Sequence, residues 1–238
     1  MLDWDSRHFG CPVASITDPS LDDLALMQDL EAARQQGARI VYWHAPANRQ
    51  PGPQVLERYG GRLGDLKTTF SWQATETENL PADADIREWP RGPASAELQE
   101  LAREAGTLSR FRRDERFPQD RSVALYEVWI ERSCRGELAD AVLVAKVENS
   151  VVGMATIAAR EENAARAGQI GLIAVAPSAR GQGWGLRLMR AVQRWLLERE
   201  IQTCTVITQQ INSAACQLYQ RAGFELTHVE SVWHFVIP

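Results

Sequence analysis

Three glycines within five positions interrupt the chain between two apolar segments, and no other feature restricts the possible folds as much. The stretch is Ser178 to Met189, SARGQGWGLRLM, with glycine at 181, 183 and 185. Ahead of it, AGQIGLIAVAP reads as a buried strand closed by Pro177. Behind it, Leu188, Val192, Trp195 and Leu196 recur at i, i+4, i+7 and i+8, the spacing of one helix face. TCTVITQ then reads as a further strand. Together with the elements that follow and precede it, this unit predicts an α/β (α+β) fold with a mixed central sheet flanked by helices.

Glycines at a strand-to-helix turn have three readings. A dinucleotide fingerprint needs the first glycine directly after its strand and an acidic residue on the next strand. Here Pro177, Ser178, Ala179 and Arg180 intervene, the third glycine is misplaced, and TCTVITQ has no acid. An ATP-type phosphate loop is excluded too, since no Gly-Lys-Ser/Thr is present. The second reading is turn chemistry alone, but each glycine weakens its element by roughly 0.5–1 kcal/mol relative to alanine. The third is a metal-free pyrophosphate cradle. Successive backbone N–H groups and the positive end of the helix dipole face one anion, bare glycines let it approach, and Arg180 adds a charge-assisted contact.

Composition excludes several partners. A net charge of −5, with 24% charged residues, gives no basic stripe for nucleic acid. No apolar run approaches the roughly 20 residues of a membrane span, and the acidic, aromatic start MLDWDSRHFG does not read as a signal peptide. Cys11, Cys134, Cys204 and Cys216 are scattered, without CxxC or zinc spacing, so reduced thiols in a cytoplasmic protein are expected and no metal.

Thr75 to Asp85, TETENLPADAD, is polar, acidic and broken by Pro81, and reads as a linker. It separates an N-terminal partial α/β segment, residues 1–80, from a larger unit, residues 84–238. The first contains strands at PVASI, ARIVYWHA and LGDLKTTFSW, with helices at about 21–36 and at QVLERYG. In the second, DIREW, helices at 94–105 and 123–134, a hairpin around Glu148-Asn149-Ser150, the strand and helix above, a last helix from Asn212 to Arg221, and the strand ESVWHFVI follow one another. Ser109 to Pro118, SRFRRDERFP, reads as a basic loop. The terminal VWHFVI strand is a candidate for pairing between subunits of a homodimer.

The run Val175-Ala176-Pro177-Ser178-Ala179-Arg180-Gly181-Gln182-Gly183-Trp184-Gly185, in this order of elements, resembles the acetyl-CoA signature of the GNAT N-acetyltransferase superfamily. The resemblance implies acetyl-CoA as cosubstrate, held by Arg180, Gly181, Gln182, Gly183, Trp184 and Gly185, with the backbone around Ile173, Ala174 and Val175 holding the pantetheine arm. It further implies Tyr219 as the acid that protonates the departing thiolate and Asn212 as a cofactor contact. Seven residues apart, these two share a helix face; Asn212 as a plain N-cap and Tyr219 as a core aromatic are the alternatives.

LDWDSRHFG, GDLKTTF, SRFRRDERFP and YEVWIERSCRGELAD together resemble the branch that acetylates dTDP-fucosamine, a nucleotide-linked amino sugar. That resemblance implies Asp65 as a base near the acceptor amine, in place of the branch's glutamate, and Ser109, Arg110, Arg112 and Arg113 beside the acceptor. Arg110 or Arg112 would then pair with a diphosphate. A strand-end hydrogen bond for Asp65 and a solvated basic loop are the alternatives, while Trp4 under the sheet and Asp5 in a turn read as structural. Other acceptors (a protein N-terminus, a lysine, another small amine) and a non-catalytic acyl-CoA sensor remain open at this point.

Overall fold

The structure, a computed structural model, describes residues 1–75, 80–162 and 165–237. Four residues of the expected linker, 76–79, lie outside the described residues. In chain order the elements are α1 (Asp3–Phe9), β1 (Val13–Ile16), α2 (Asp23–Gln35), β2 (Ile40–Pro46), α3 (Pro53–Tyr59) and β3 (Gly61–Gln73). Then come β4 (Ile86–Glu88), α4 (Ala96–Ala105), α5 (Arg110–Arg113), α6 (Gln119–Cys134), β5 (Ala141–Val147), β6 (Ser150–Glu162) and β7 (Ala165–Val175). The chain closes with α7 (Trp184–Leu197), β8 (Thr203–Gln209), α8 (Ser213–Arg221) and β9 (Glu225–Val236).

The strands join one sheet in the order β1-β2-β9-β3-β8-β7-β6-β5-β4. β4 to β7 form an antiparallel meander. The β7/β8 pair is parallel, as is β1/β2, and each needs the crossover that α7 and α2 respectively supply. The terminal strand β9 lies between β2 and β3 and pairs with both. This corrects the expectation that VWHFVI pairs between subunits, because both its edges are used within the chain.

Helices cover both faces. α7 buries Leu188, Met189, Val192, Trp195 and Leu196 against Phe70, Trp72, Leu143, Ala155, Ile157 and Ile170. Each such aliphatic side chain contributes about 1.5–3 kcal/mol by leaving water. On the other face, Leu98, Leu101 and Ala102 of α4 and Leu125, Tyr126 and Ile130 of α6 pack with Phe9, Tyr42, Val142, Met154 and Leu172. α2 and α3 close a third cluster around Trp43, Trp233 and Phe235. Strand alternation puts Trp233 and Phe235 on the opposite face from His234.

Two local readings need correction. Asp3–Phe9 is helical: Trp4 and His8 lie one turn apart with their rings stacked at 4.9 Å. Trp4 is half-buried on α1 and packs against the core cluster on this sheet face, and Asp5 is a helical residue rather than a turn carboxylate. The basic loop also contains a short helix, α5, with Ser109 as its N-cap.

Candidate active site

The glycine turn fits an anion at the start of α7. Gly181 and Gly183 are left-handed, at φ of 75° and 84°, and a Cβ at either would meet nothing within 4 Å. Gly183 is the N-cap, no side chain among the described residues caps the helix, and its first turn carries no acid. The first N–H groups of a helix have no intrahelical partner and lie at the positive end of its dipole. Gly185 serves packing instead, because a Cβ there would lie 3.2 Å from the Leu218 side chain, and the glycine sets how closely α7 approaches α8. Gln182 is exposed and donates to the Ser178 carbonyl at 3.2 Å. Trp184 is buried under Arg187, whose guanidinium lies 4.0 Å from the ring centre and pairs with Asp83 and Asp85.

Arg180 is engaged within the chain. It donates through Nε to the Val175 carbonyl at 3.2 Å and pairs with Glu104 of α4 at 2.7 Å. The pair is solvent-exposed and worth about 0–1 kcal/mol, so a phosphate can displace the carboxylate.

Beside this turn the sheet opens. β7 and β8 pair at Gly168↔Cys204, Gln169↔Thr205 and Ile170↔Val206, and there the pairing stops. β7 continues to Val175 and β8 to Gln209, so Ile173, Ala174 and Val175 present an edge toward β8 that is free of strand partners among the described residues. Their other edge is held by β6, opposite Ala155, Met154 and Gly153. An unpaired strand edge of this kind accepts an extended amide-containing chain by hydrogen bonding.

α8 delivers the next two residues. Asn212 is its N-cap, accepting from the Ala215 N–H at 3.2 Å, so the structural role is present whatever else the side chain does. Tyr219 is 3% exposed and packs edge-on against Phe70 at 5.5 Å. Burial raises its phenol far above the ordinary value, which keeps it protonated at neutral pH.

Asp65 lies elsewhere. It is five residues from Phe70 on β3, hence on the opposite face of the sheet and roughly 16 Å along the strand. The pairing register shifts between Leu63 and Asp65, a bulge at Gly64. The Asp65 carboxylate is 6% exposed and its Oδ1 has no hydrogen-bond partner among the described residues. Desolvation pushes it up to about 6, against the opposing pull of Arg110, Arg113, the Leu66 N–H and Lys67. Beyond it on the same face, Glu230 bridges Lys67 at 2.6 Å and His44 at 3.3 Å.

The four residues expected beside an acceptor do not act alike. Ser109 is buried, its hydroxyl accepting from the Arg112 N–H at 3.3 Å. Arg112 reaches back to the Arg103 carbonyl at 3.3 Å. Arg110 points inward, its guanidinium 4.3 Å from the Tyr42 ring centre and 4.4 Å from that of Phe111, and donates to His234. Of the two arginines expected to meet a diphosphate, Arg110 or Arg112, Arg110 is thus engaged within the chain. Arg113 is exposed and within electrostatic reach of Asp65.

Residues 108–224 match the acetyltransferase (GNAT) family. The chain carries an acetyltransferase domain of the GNAT family. Among curated proteins it is similar to the spore coat polysaccharide biosynthesis protein SpsD of Bacillus subtilis (strain 168), 28% identical over 149 residues. That alignment covers 62% of this chain and 49% of SpsD, so the match spans about half the length of this relative. Among solved structures, a conserved protein of unknown function from Staphylococcus epidermidis superposes with a TM-score of 0.64 at 14% identity, covering 93% of this chain and 84% of that one. An acetyltransferase of the GNAT family from Novosphingobium aromaticivorans gives a TM-score of 0.53 at 16% identity, covering 88% and 80%. At these identities the structural likeness speaks to the fold.

Proposed function

We propose that the protein transfers an acetyl group from acetyl-CoA to the amino group of a nucleotide-linked amino sugar. The observation that carries the reading is the meeting, beside α7, of an uncapped helix N-terminus, a strand edge left without strand partners from Gly171 to Val175, and a protonated tyrosine on α8. Acetyl-CoA, when bound, supplies the acetyl group as a thioester. The backbone of residues 181–186 holds the pyrophosphate, with Arg180 leaving Glu104 to join it, while Ile173 to Val175 and Asn212 hold the pantetheine arm.

The acceptor enters over the face that carries Asp65. Asp65, with its raised proton affinity, takes a proton from the acceptor ammonium through intervening water, since its strand position keeps it from the reacting carbon. The neutral amine then attacks the thioester carbonyl. Backbone N–H groups of β7 stabilise the charge that grows on the carbonyl oxygen. As the C–S bond breaks, Tyr219 delivers its phenolic proton to the departing sulfur, and the proton that the attacking nitrogen sheds on becoming an amide restores the phenol through water.

The sugar assignment is supported by the similarity to SpsD, a protein named for polysaccharide biosynthesis, and by the cations Arg113 and Lys67 on the acceptor face. The test is thiol release from acetyl-CoA against dTDP- and UDP-linked amino sugars, polyamines and peptides. Turnover with a nucleotide-linked amino sugar is expected. Turnover with peptides alone overturns the acceptor, and acetyl-CoA binding without turnover on any amine overturns the enzymatic reading.

A further inference from the structure

His234 is fully buried on β9 between two charged groups that fix its chemistry. Its Nδ1 lies 2.9 Å from Asp114 Oδ2 and its Nε2 lies 3.0 Å from Arg110 Nη1. A guanidinium can only donate, so Nε2 must be bare; a carboxylate can only accept, so Nδ1 must carry the proton. The ring is therefore neutral and in one tautomer. Asp114 is in turn held by Arg116 through two contacts of 2.7 and 2.6 Å.

Space for this ring exists because residue 64 is glycine. A Cβ on Gly64 would sit 2.6 Å from His234 Cε1. The same glycine is where the register shifts beside Asp65, and bulges of this kind re-aim a neighbouring side chain. One backbone irregularity thus seats His234 and directs Asp65 at once.

We propose that the Asp114–His234 pair is a positioning device that holds the Arg110 guanidinium within electrostatic reach of Asp65 and thereby keeps that carboxylate available as a base. This rests on Asp65 being the base of the proposed reaction. The groups facing it are Arg110 and Arg113 from α5, Lys67 from its own strand and Tyr126 from α6. Arg110 also faces Asp5 of α1 and Tyr42 of β2. Among these cations Arg110 lowers the proton affinity of Asp65 most. Without it, a buried carboxylate with an unpartnered oxygen keeps its proton to a higher pH, and less of it is free to accept one.

Two measurements test the device. The acid limb of the kcat/KM pH profile reports the free enzyme's base. Asp65→Asn is expected to remove that limb. His234→Phe, which keeps the volume and removes the acceptor for Arg110, is expected to move it upward by about half a pH unit or more, with KM for acetyl-CoA unchanged within about twofold. A limb that survives Asp65→Asn overturns the base reading itself. A limb lost in Asp65→Asn but unmoved in folded His234→Phe overturns the positioning role and leaves the base reading standing. Should His234→Phe fail to fold, ¹⁵N NMR of the unaltered protein decides. A buried histidine that is neutral at pH 6 with only Nδ1 protonated is expected, and an Nε2–H or charged ring overturns the proposal.

Discussion

Asp65 is held in a state the fold penalises, and replacing it makes that penalty measurable. The carboxyl is raised from 3.8 to about 6, chiefly by desolvation. A carboxylate whose folded value lies above its unfolded value destabilises the fold in its charged form. The sign follows from linkage: the penalty is complete above pH 6, shrinks as pH falls, and vanishes below 3.8, where both states are protonated. Between 3.8 and about 6 its full size is ~3 kcal/mol. At pH 5 the folded carboxyl is already protonated while the unfolded one is charged, so about half of the penalty remains. Asp65→Asn keeps the shape and removes the charge. Relative to the parent, the variant is expected to be more stable by about 3 kcal/mol more at pH 7.5 than at pH 3.5, with about half of that advantage left at pH 5. Taking the difference between the two proteins cancels every other titration they share. The assay is urea unfolding of both proteins at several pH values, at fixed ionic strength. Turnover should fall while stability rises, the trade expected where a site keeps a strained group for function. A difference that is flat with pH, or that grows toward acid, refutes the assignment of a desolvated carboxylate at position 65.

Tyr219→Phe keeps the ring against Phe70 and removes only the hydroxyl. It is expected to lower kcat by about 100-fold, the low end for loss of a general acid, with KM for acetyl-CoA unchanged; steady-state thiol release checks it, and unaltered kcat removes Tyr219 from the acid role. Gly183→Ala forces a methyl group onto a residue at φ +84°, where no atom of the chain stands in its way. The backbone cost is about 1–2 kcal/mol, and KM for acetyl-CoA is expected to rise about tenfold or more, as for a lost phosphate contact. Gly10→Ala, at φ +71° with equally open surroundings, serves as the control: it carries the backbone cost without the KM effect. Equal KM values in the two variants overturn the pyrophosphate cradle.

The two halves of the site differ in how far they could be read from the chain. The glycine turn, the strand before it and the helix after it are contiguous, and periodicity identifies each. TCTVITQ corresponds to β8 residue for residue, and Asn212 caps α8 as its position before an apolar stripe predicts. What local pattern could not supply is the opening between β7 and β8, because a strand's alternation does not say where its pairing stops. Nor could it supply the seat of β9 between β2 and β3, which joins residues 163 positions apart, as in the Lys67–Glu230 ion pair.

The face proposed to receive the acceptor is less legible for the same physical reason. Its charged core draws Asp5 from α1, Tyr42 from β2, Asp65 from β3, Arg110 and Asp114 from α5 and its flank, and His234 from β9. SRFRRDERFP contains four arginines, and composition does not reveal which turns inward. The helical turn of α5 decides it, putting Arg110 on the rings of Tyr42 and Phe111 while Arg113 stays exposed. One local signal does exist. In ESVWHFVI, a histidine sits between Trp233 and Phe235 in a strand with both faces covered, and a buried ring with two polar nitrogens requires partners. Following that requirement from His234 to Asp114 and Arg110 leads to Asp65 without any motif. A phosphate cradle is written in a dozen consecutive residues because backbone amides make it; a site that must tune one carboxylate against several charges is written across the whole chain.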